Sequence, residues 1–366
     1  MPWTVTPDHL ERLAIGAGIL GTGGGGNPYL GKLIARTFLE QGRTINVVSV
    51  DEVPDDALVC TVGGMGSPTV ALERLLQPNE ALNAMRALEA HLGRNFTHVV
   101  PSEIGGSNST IPMVVAAQAG IPVIDGDGMG RAFPELQMKT FMMAGYAPSP
   151  AGFANYHGET MVLDHIRDAH TLERYARAVA IQMGGRAGYA FPQMTGAQVK
   201  AAAIPGTLSL AIRLGDAVLA ARANHTSPIA AICAATGGHA LFTGKISDVR
   251  REMTGGFARG VVTIDGMGES SGTIVCIDFQ NENLIARTDR GEVLAVVPDL
   301  ICLVNSDNGE PLTTEVIRYG LRTTVIGIPA PRALRSDVGL ATVGPAALGY
   351  HDVVYHPLSG VYGEAG

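Results

Sequence analysis

Glu103, in the segment PSEIGGSNST, is the first residue whose type and setting point to chemistry. A carboxylate at the end of a short apolar run can accept hydrogen bonds from a ligand N–H, or move a proton as an acid or base. The plainer alternative is a turn residue facing water. Ser107, Asn108, Ser109 and Thr110 follow it and could cap a helix that begins near Ile111, leaving free N–H groups as a place for an anion. A second acidic cluster lies in VIDGDGMGRAFPE, where Asp125, Asp127, Arg131 and Glu135 fall within eleven positions. Two carboxylates two apart after an apolar strand can converge on a cation or a polar ligand. Either can instead close an Asx-turn on its own backbone. The register of a calcium-binding EF-hand is absent.

The run TGGGGNP at 22–28 is the clearest anomaly. Four consecutive glycines lose more backbone entropy on ordering than any other residues would, so an ordered run needs a reason. One reason is close approach of backbone N–H groups to an anionic or carbonyl oxygen, with Gly23, Gly24, Gly25, Gly26 and Asn27 presented to a ligand. A tight or mobile turn is the other. The run lacks the GxGxxG frame, and no Gly-Lys-Ser/Thr follows it, so neither a dinucleotide fingerprint nor a Walker A motif is present. The ten histidines form no HExxH or HxH signature, although His157, His225 and His239 lie near small residues and could reach a site made by the fold. Gly268-Glu269-Ser270-Ser271-Gly272 only loosely resembles a nucleophile elbow. The four cysteines, Cys60, Cys233, Cys276 and Cys302, are scattered through apolar contexts and read as buried thiols of a reducing compartment.

The elements that must position these residues follow from spacing. Thr6-Pro7-Asp8 starts a helix that should end by Gly21, and KLIARTFLEQG reads as a second helix after a loop from Thr22 to Gly31. Strands are expected at 44–50, 58–62 and 97–101, with helical spacing over 70–92 and 111–119. Alternating strands and helices imply an α/β layer with at least partly parallel strands. Functional loops on such sheets sit at the carboxyl ends of strands. The turns Gly63-Gly64-Met65-Gly66, Glu103-Ile104-Gly105-Gly106 and Asp125-Gly126-Asp127-Gly128 are therefore expected on one rim. From Ala240 to Val304 closely spaced strands predict an antiparallel or barrel-like unit. The expected fold is thus α/β and β in two domains, an α/β N-terminal unit joined to a β-rich second unit. Residues 1–165 form the α/β domain, rejoined by about 316–366, and 166–315 form the β-rich domain with leading helices.

Composition narrows the partners. With 366 residues and a net charge of −8, the chain has no basic excess to neutralise phosphates, which argues against nucleic acid. No window reaches 18 apolar residues and no basic, apolar and small-residue leader opens the sequence, so neither a membrane partner nor export is expected. Arg131, Arg186 or Arg213 could still serve a small anionic ligand. Alanine and glycine dominate the apolar residues, which implies elements that approach one another closely.

Taken together, LGTGGGGNPYLG, VGGMGSPTV, EIGGSNS, IPVIDGDGMGRAFPELQM, MTGAQVKAAAIPGTLSLA, GKISDVRREMTGGFARG, FQNENLIA, VPDLICLV and TTEVIRYGLRTTVIG resemble the S-methyl thiohydantoin desulfurase family, which is associated with hydantoinase and oxoprolinase proteins. The resemblance runs from about Leu20 to Tyr350. It implies two domains and a cytoplasmic hydrolase acting on a small cyclic substrate, with homo-oligomerisation left open. The implied reaction is hydrolytic loss of the sulfur substituent from a five-membered S-methyl thiohydantoin ring, leaving a hydantoin. Opening of a hydantoin- or oxoproline-like ring, or binding without turnover, are the alternatives. On this reading Glu103 or Asp127 is the base, with or without a divalent metal. Arg131 orients a substrate carboxylate, and the glycine loop with Asn108 and Glu135 completes the site.

Overall fold

The structure, a computed structural model, describes residues 2–66, 70, 74 and 77–363. Two sheets carry the fold. The first contains β1 (Trp3–Thr4), β2 (Asn46–Ser49), β3 (Leu58–Gly66), β4 (His98–Pro101), β5 (Val123–Asp127), β6 (Ala151–Ala154), β7 (Thr160–Leu163), β8 (Arg186–Thr195) and β9 (Ile204–Pro205). Its order is β1-β2-β5-β4-β3-β8-β6-β7, with β9 paired to β5. The central strands β2, β5, β4 and β3 run parallel, so their carboxyl ends share one rim, as the strand–helix alternation implies. The second sheet is antiparallel throughout and contains β10 (His239–Thr254), β11 (Phe257–Gly266), β12 (Ile274–Gln280), β13 (Glu282–Thr288), β14 (Val293–Val296), β15 (Leu300–Asn305) and β16 (Arg322–Ile328). Its order is β14-β13-β12-β11-β10-β16-β15.

Several elements depart from their expected places. The strand β3 continues through Gly63–Gly66 instead of turning there, because those residues pair with Tyr189 to Arg186 of β8. That same strand, β8, lies inside the range 166–315 yet belongs to the first sheet. Conversely β16, in the tail expected to rejoin the α/β unit, pairs with β10 and β15 of the second sheet. Only the segment beyond it returns, with the Tyr362 hydroxyl donating to Gly130 O at 2.6 Å. Local spacing reveals that a segment is a strand; which sheet takes it depends on pairing at long range. Of the helical spacing over 70–92, the helix Glu80–Leu92 is present, while 71–73 and 75–76 lie outside the described residues.

Thr6 caps the helix Pro7–Leu20, its hydroxyl accepting from His9 N. This helix crosses the helix Thr207–Ala223 at contact distance, since a Cβ on Gly16 would sit 1.9 Å from Ala211 O and one on Gly215 1.9 Å from Arg12 O. Small residues allow the close approach that the composition implies, and the seam is lined by Leu10, Leu13, Leu208 and Leu214, all fully buried. Among the described residues, no helix is long and apolar enough to cross a membrane.

Candidate functional site

A cleft of about 580 Å³, counting its mouth, opens where the carboxyl ends of β3 and β4 face the β12–β13 turn. Glu103 enters it from the β4 side and is only 5% exposed. Asn108 fixes this side chain: its Nδ2 donates to Glu103 Oε1 at 2.5 Å and to Gly64 O at 3.2 Å, while its Oδ1 accepts from Gly64 N at 2.8 Å. Phe133 N donates to the other oxygen, Oε2. Burial pushes the Glu103 carboxyl up to about 7, against the pull of these two donors and of the more distant Lys139 and Arg131 cations.

Opposite stands Glu282, 3% exposed and delivered by a tight turn in which Asn281 adopts φ 58°. That left-handed conformation suits asparagine better than most residues. Asn281 is locked by a reciprocal pair, its N donating to Ala258 O and its Oδ1 accepting from Ala258 N. Burial and the nearby Glu103 charge push the Glu282 carboxyl well above its ordinary value, and its Oε2 has no hydrogen-bond partner. Two carboxyls lining one cleft are costly to ionise together, so the Glu103 charge favours the protonated form of Glu282. Glu135 lies along the wall, bonded to the Gln137 and Gln280 amides. Arg177 and Arg186 line it too.

Family models match the chain in two parts, the S-Me-THD-like N-terminal domain over residues 8–165 and the S-Me-THD-like C-terminal domain over 167–358. The chain belongs to the S-Me-THD-like family. The fold is similar to that of a Chromobacterium violaceum protein solved by X-ray crystallography as a structural-genomics target. The two share 26% identity and a TM-score of 0.81, over 98% of this chain and 100% of that one. No curated protein matches the chain.

In this family member the glycine run has a reason of its own. Gly25 and Gly26, both at positive φ, lie against the Gly105-Gly106 pair. Their carbonyls accept from Asn108 N and Ser107 N, both at 3.2 Å, and a Cβ on Gly25 would come within 2.3 Å of Gly105 O. Two backbones meet there, and Gly25 N–H also bonds the Glu282 carboxyl in the cleft lining. The same bonds engage the N–H groups of Ser107 and Asn108, while the Ser109 and Thr110 hydroxyls donate to carbonyls, so no side chain of this run caps the helix Ile111–Ala119.

Of the expected site residues, Gly25, Gly26, Glu103, Asn108 and Glu135 line the cleft. Gly23 and Gly24 lie outside its lining; Gly23 O accepts from Thr314 N and Gly24 N donates to Gly21 O. Asn27 caps the helix Pro28–Glu40, four residues earlier than the spacing implied, its Oδ1 accepting from Tyr29 N at 2.9 Å. Asp127 is fully buried behind the rim, and its Oδ2 accepts from Ile104 N, Met129 N and Gly130 N. Asp125 holds the start of the helix Thr207–Ala223 through Ser209. Arg131 is fully buried as well. Its five N–H groups go to Ala132 O, Pro298 O, Asp299 O, Asn283 O and the Thr22 hydroxyl, which leaves none for a substrate carboxylate. His157, His225 and His239 are exposed and outside the cleft, and no disulfide joins the cysteines. Among the described residues no group of three or more His, Cys, Asp or Glu side chains could hold a metal ion.

Glu282 had no local signature, and Arg186 was expected only as one of three arginines open to a small anionic ligand. The one hint was the polar run Gln280-Asn281-Glu282-Asn283 between two apolar strands, which is entirely buried. A buried polar run implies partners.

Proposed function

We propose that this protein hydrolyses the C–S bond of an S-methyl thiohydantoin-type ring, with Glu103 as base and Glu282 as acid. The observation that carries the reading is that two buried carboxyls of raised pKa face one cleft, Glu282 raised further by the charge of Glu103. Titratable groups whose surroundings push their pKa values apart are the usual mark of an acid–base assignment. Membership of the S-Me-THD-like family supplies the ring chemistry.

The steps balance. Glu103 takes a proton from water as its oxygen adds to the sulfur-bearing carbon of the C=N unit, and Glu282 gives its proton to the ring nitrogen. The tetrahedral adduct then collapses: the new hydroxyl returns a proton to Glu282, the C–S bond breaks, and methanethiolate leaves with the proton held by Glu103. A ring carbonyl, a ring N–H and methanethiol result from substrate plus one water. Each carboxyl ends as it began.

Incubation with an S-methyl thiohydantoin, with headspace methanethiol and liquid-phase hydantoin measured together, tests the reading. Equal amounts of the two products are expected. Ring-opened acid without methanethiol would make the protein an amide-ring hydrolase. Tight binding of an unchanged ring would make it a carrier.

A further inference from the structure

The two arginines of the cleft differ in a way that bears on the ligand. Arg177 is matched one to one with Glu173, Nη2 to Oε1 at 2.6 Å, and it also donates to Pro134 O. Arg186 is not matched. Its Nε reaches Glu80 Oε2 only at 3.4 Å, and Arg74 takes the other oxygen of the same carboxylate at 3.5 Å. Two guanidiniums thus share one carboxylate, which leaves one positive charge uncompensated among the described residues.

Arg186 is also only 8% exposed, yet neither of its Nη nitrogens makes a hydrogen bond to a described residue. The guanidinium lies against the Gly64 end of β3, where a Cβ would stand 2.5 Å from Nη2, and so lines the cleft wall. The residue is nine-tenths buried, but its Nη groups open onto the cleft and offer four N–H groups to an incoming anion. Glu103 and Glu282, which line the same cleft, repel negative charge.

We infer that the preferred ligand is a five-membered ring bearing a carboxylate side chain, bound with its ring at the Glu103–Glu282 pair and its carboxylate on the Nη fork of Arg186. This rests on the ring chemistry proposed above and narrows it to acidic ring substituents. The charge pattern also fixes the orientation, because the reverse pose sets a carboxylate against Glu103. Planar, bidentate capture of a carboxylate is what a guanidinium does better than an ammonium.

The test compares an acid with its near-isosteric amide. Hydantoin-5-acetate and hydantoin-5-acetamide are titrated calorimetrically into the wild-type protein and into Arg186→Met, at low and high salt. The wild type should bind the acid about tenfold to a hundredfold more tightly than the amide, the usual gain from bonds to a charged group. In R186M that ratio should fall to near one. Equal wild-type affinities, a preference that survives R186M, or no binding of either compound at millimolar concentration would each overturn the inference. The wild-type ratio needs no variant, so misfolding of R186M does not blunt the test. Parallel turnover assays with the matching S-methyl thiohydantoins separate the two readings. Selective binding of the acid without thiol release leaves this inference standing and removes the reaction. Equal turnover of acid and amide does the reverse.

Discussion

The loops that follow β4 and β5 look alike in sequence and behave differently in the fold. Each begins at the carboxyl end of a parallel strand, combines acids with glycines, and buries a carboxyl pushed up to about 7. In the β4 loop, Glu103 takes one N–H on one oxygen and one side-chain amide on the other, and both face space a ligand can enter. In the β5 loop, a single oxygen of Asp127 gathers three backbone N–H groups and fixes the turn through Gly130. A raised pKa therefore marks burial at both sites. The two differ in access: Glu103 lines the cleft, whereas Asp127 lies behind its rim with Oδ1 buried and unpartnered among the described residues.

The largest effect expected from this contrast is on turnover. Glu103→Gln should lower kcat/KM for an S-methyl thiohydantoin by about a hundredfold or more, the usual scale for loss of an acid–base group. Tm should fall modestly, since Gln keeps an acceptor for Asn108 but turns an amide N–H toward Phe133 N. The wild-type rate should also pass through a maximum near neutral pH, because the pair works only while it holds one proton. A rate that stays flat between pH 5 and 9, or an E103Q protein within a few fold of wild type, would break the comparison.

Asp127→Asn should show the opposite division, with kcat/KM within a few fold and a lower Tm. The sign with pH is specific. A carboxyl raised in the folded state contributes stability that is complete below its unfolded pKa of about 3.9 and is lost as pH rises through the folded value. The stability deficit of D127N should therefore be largest near pH 4.5 and shrink toward pH 8, by up to a few kcal/mol. Thermal melts of both proteins across that range check it. A deficit that grows with pH would show that the ionised form is the one the turn requires.

The smallest effect should come from Asn27. As a helix cap its replacement by Ala should cost about 1 kcal/mol of stability and leave turnover unchanged. A large loss of kcat in a stable N27A protein would return the start of the glycine run to the site.

Much of the scaffold was legible. Thr6-Pro7-Asp8 announced its helix, and the apolar runs before Glu103 and Asp127 announced strands whose ends share a rim. Glu282 was not, because it arrives from β13 and no local spacing encodes that approach, and Arg186 of β8 was named without any means of telling it from Arg131 or Arg213. Arg131 misled for a related reason. An arginine beside two aspartates suggests a ligand anchor, and only the fold reveals five protein oxygens around it. The glycine run was an anomaly worth noticing: it packs on another pair of glycines in the same chain and lines the cleft through Gly25 and Gly26.

Arg131 has one more consequence, for how the molecule folds and comes apart. It lies in the half matched by the N-terminal family model, while its acceptors at Asn283, Pro298 and Asp299 lie in the other half. A chain cut near residue 166 would strand a guanidinium in an apolar interior on one side and orphan carbonyls on the other. Neither half has the means to repair that loss alone. The two halves are thus expected to unfold as a single cooperative unit, which one calorimetric transition would bear out.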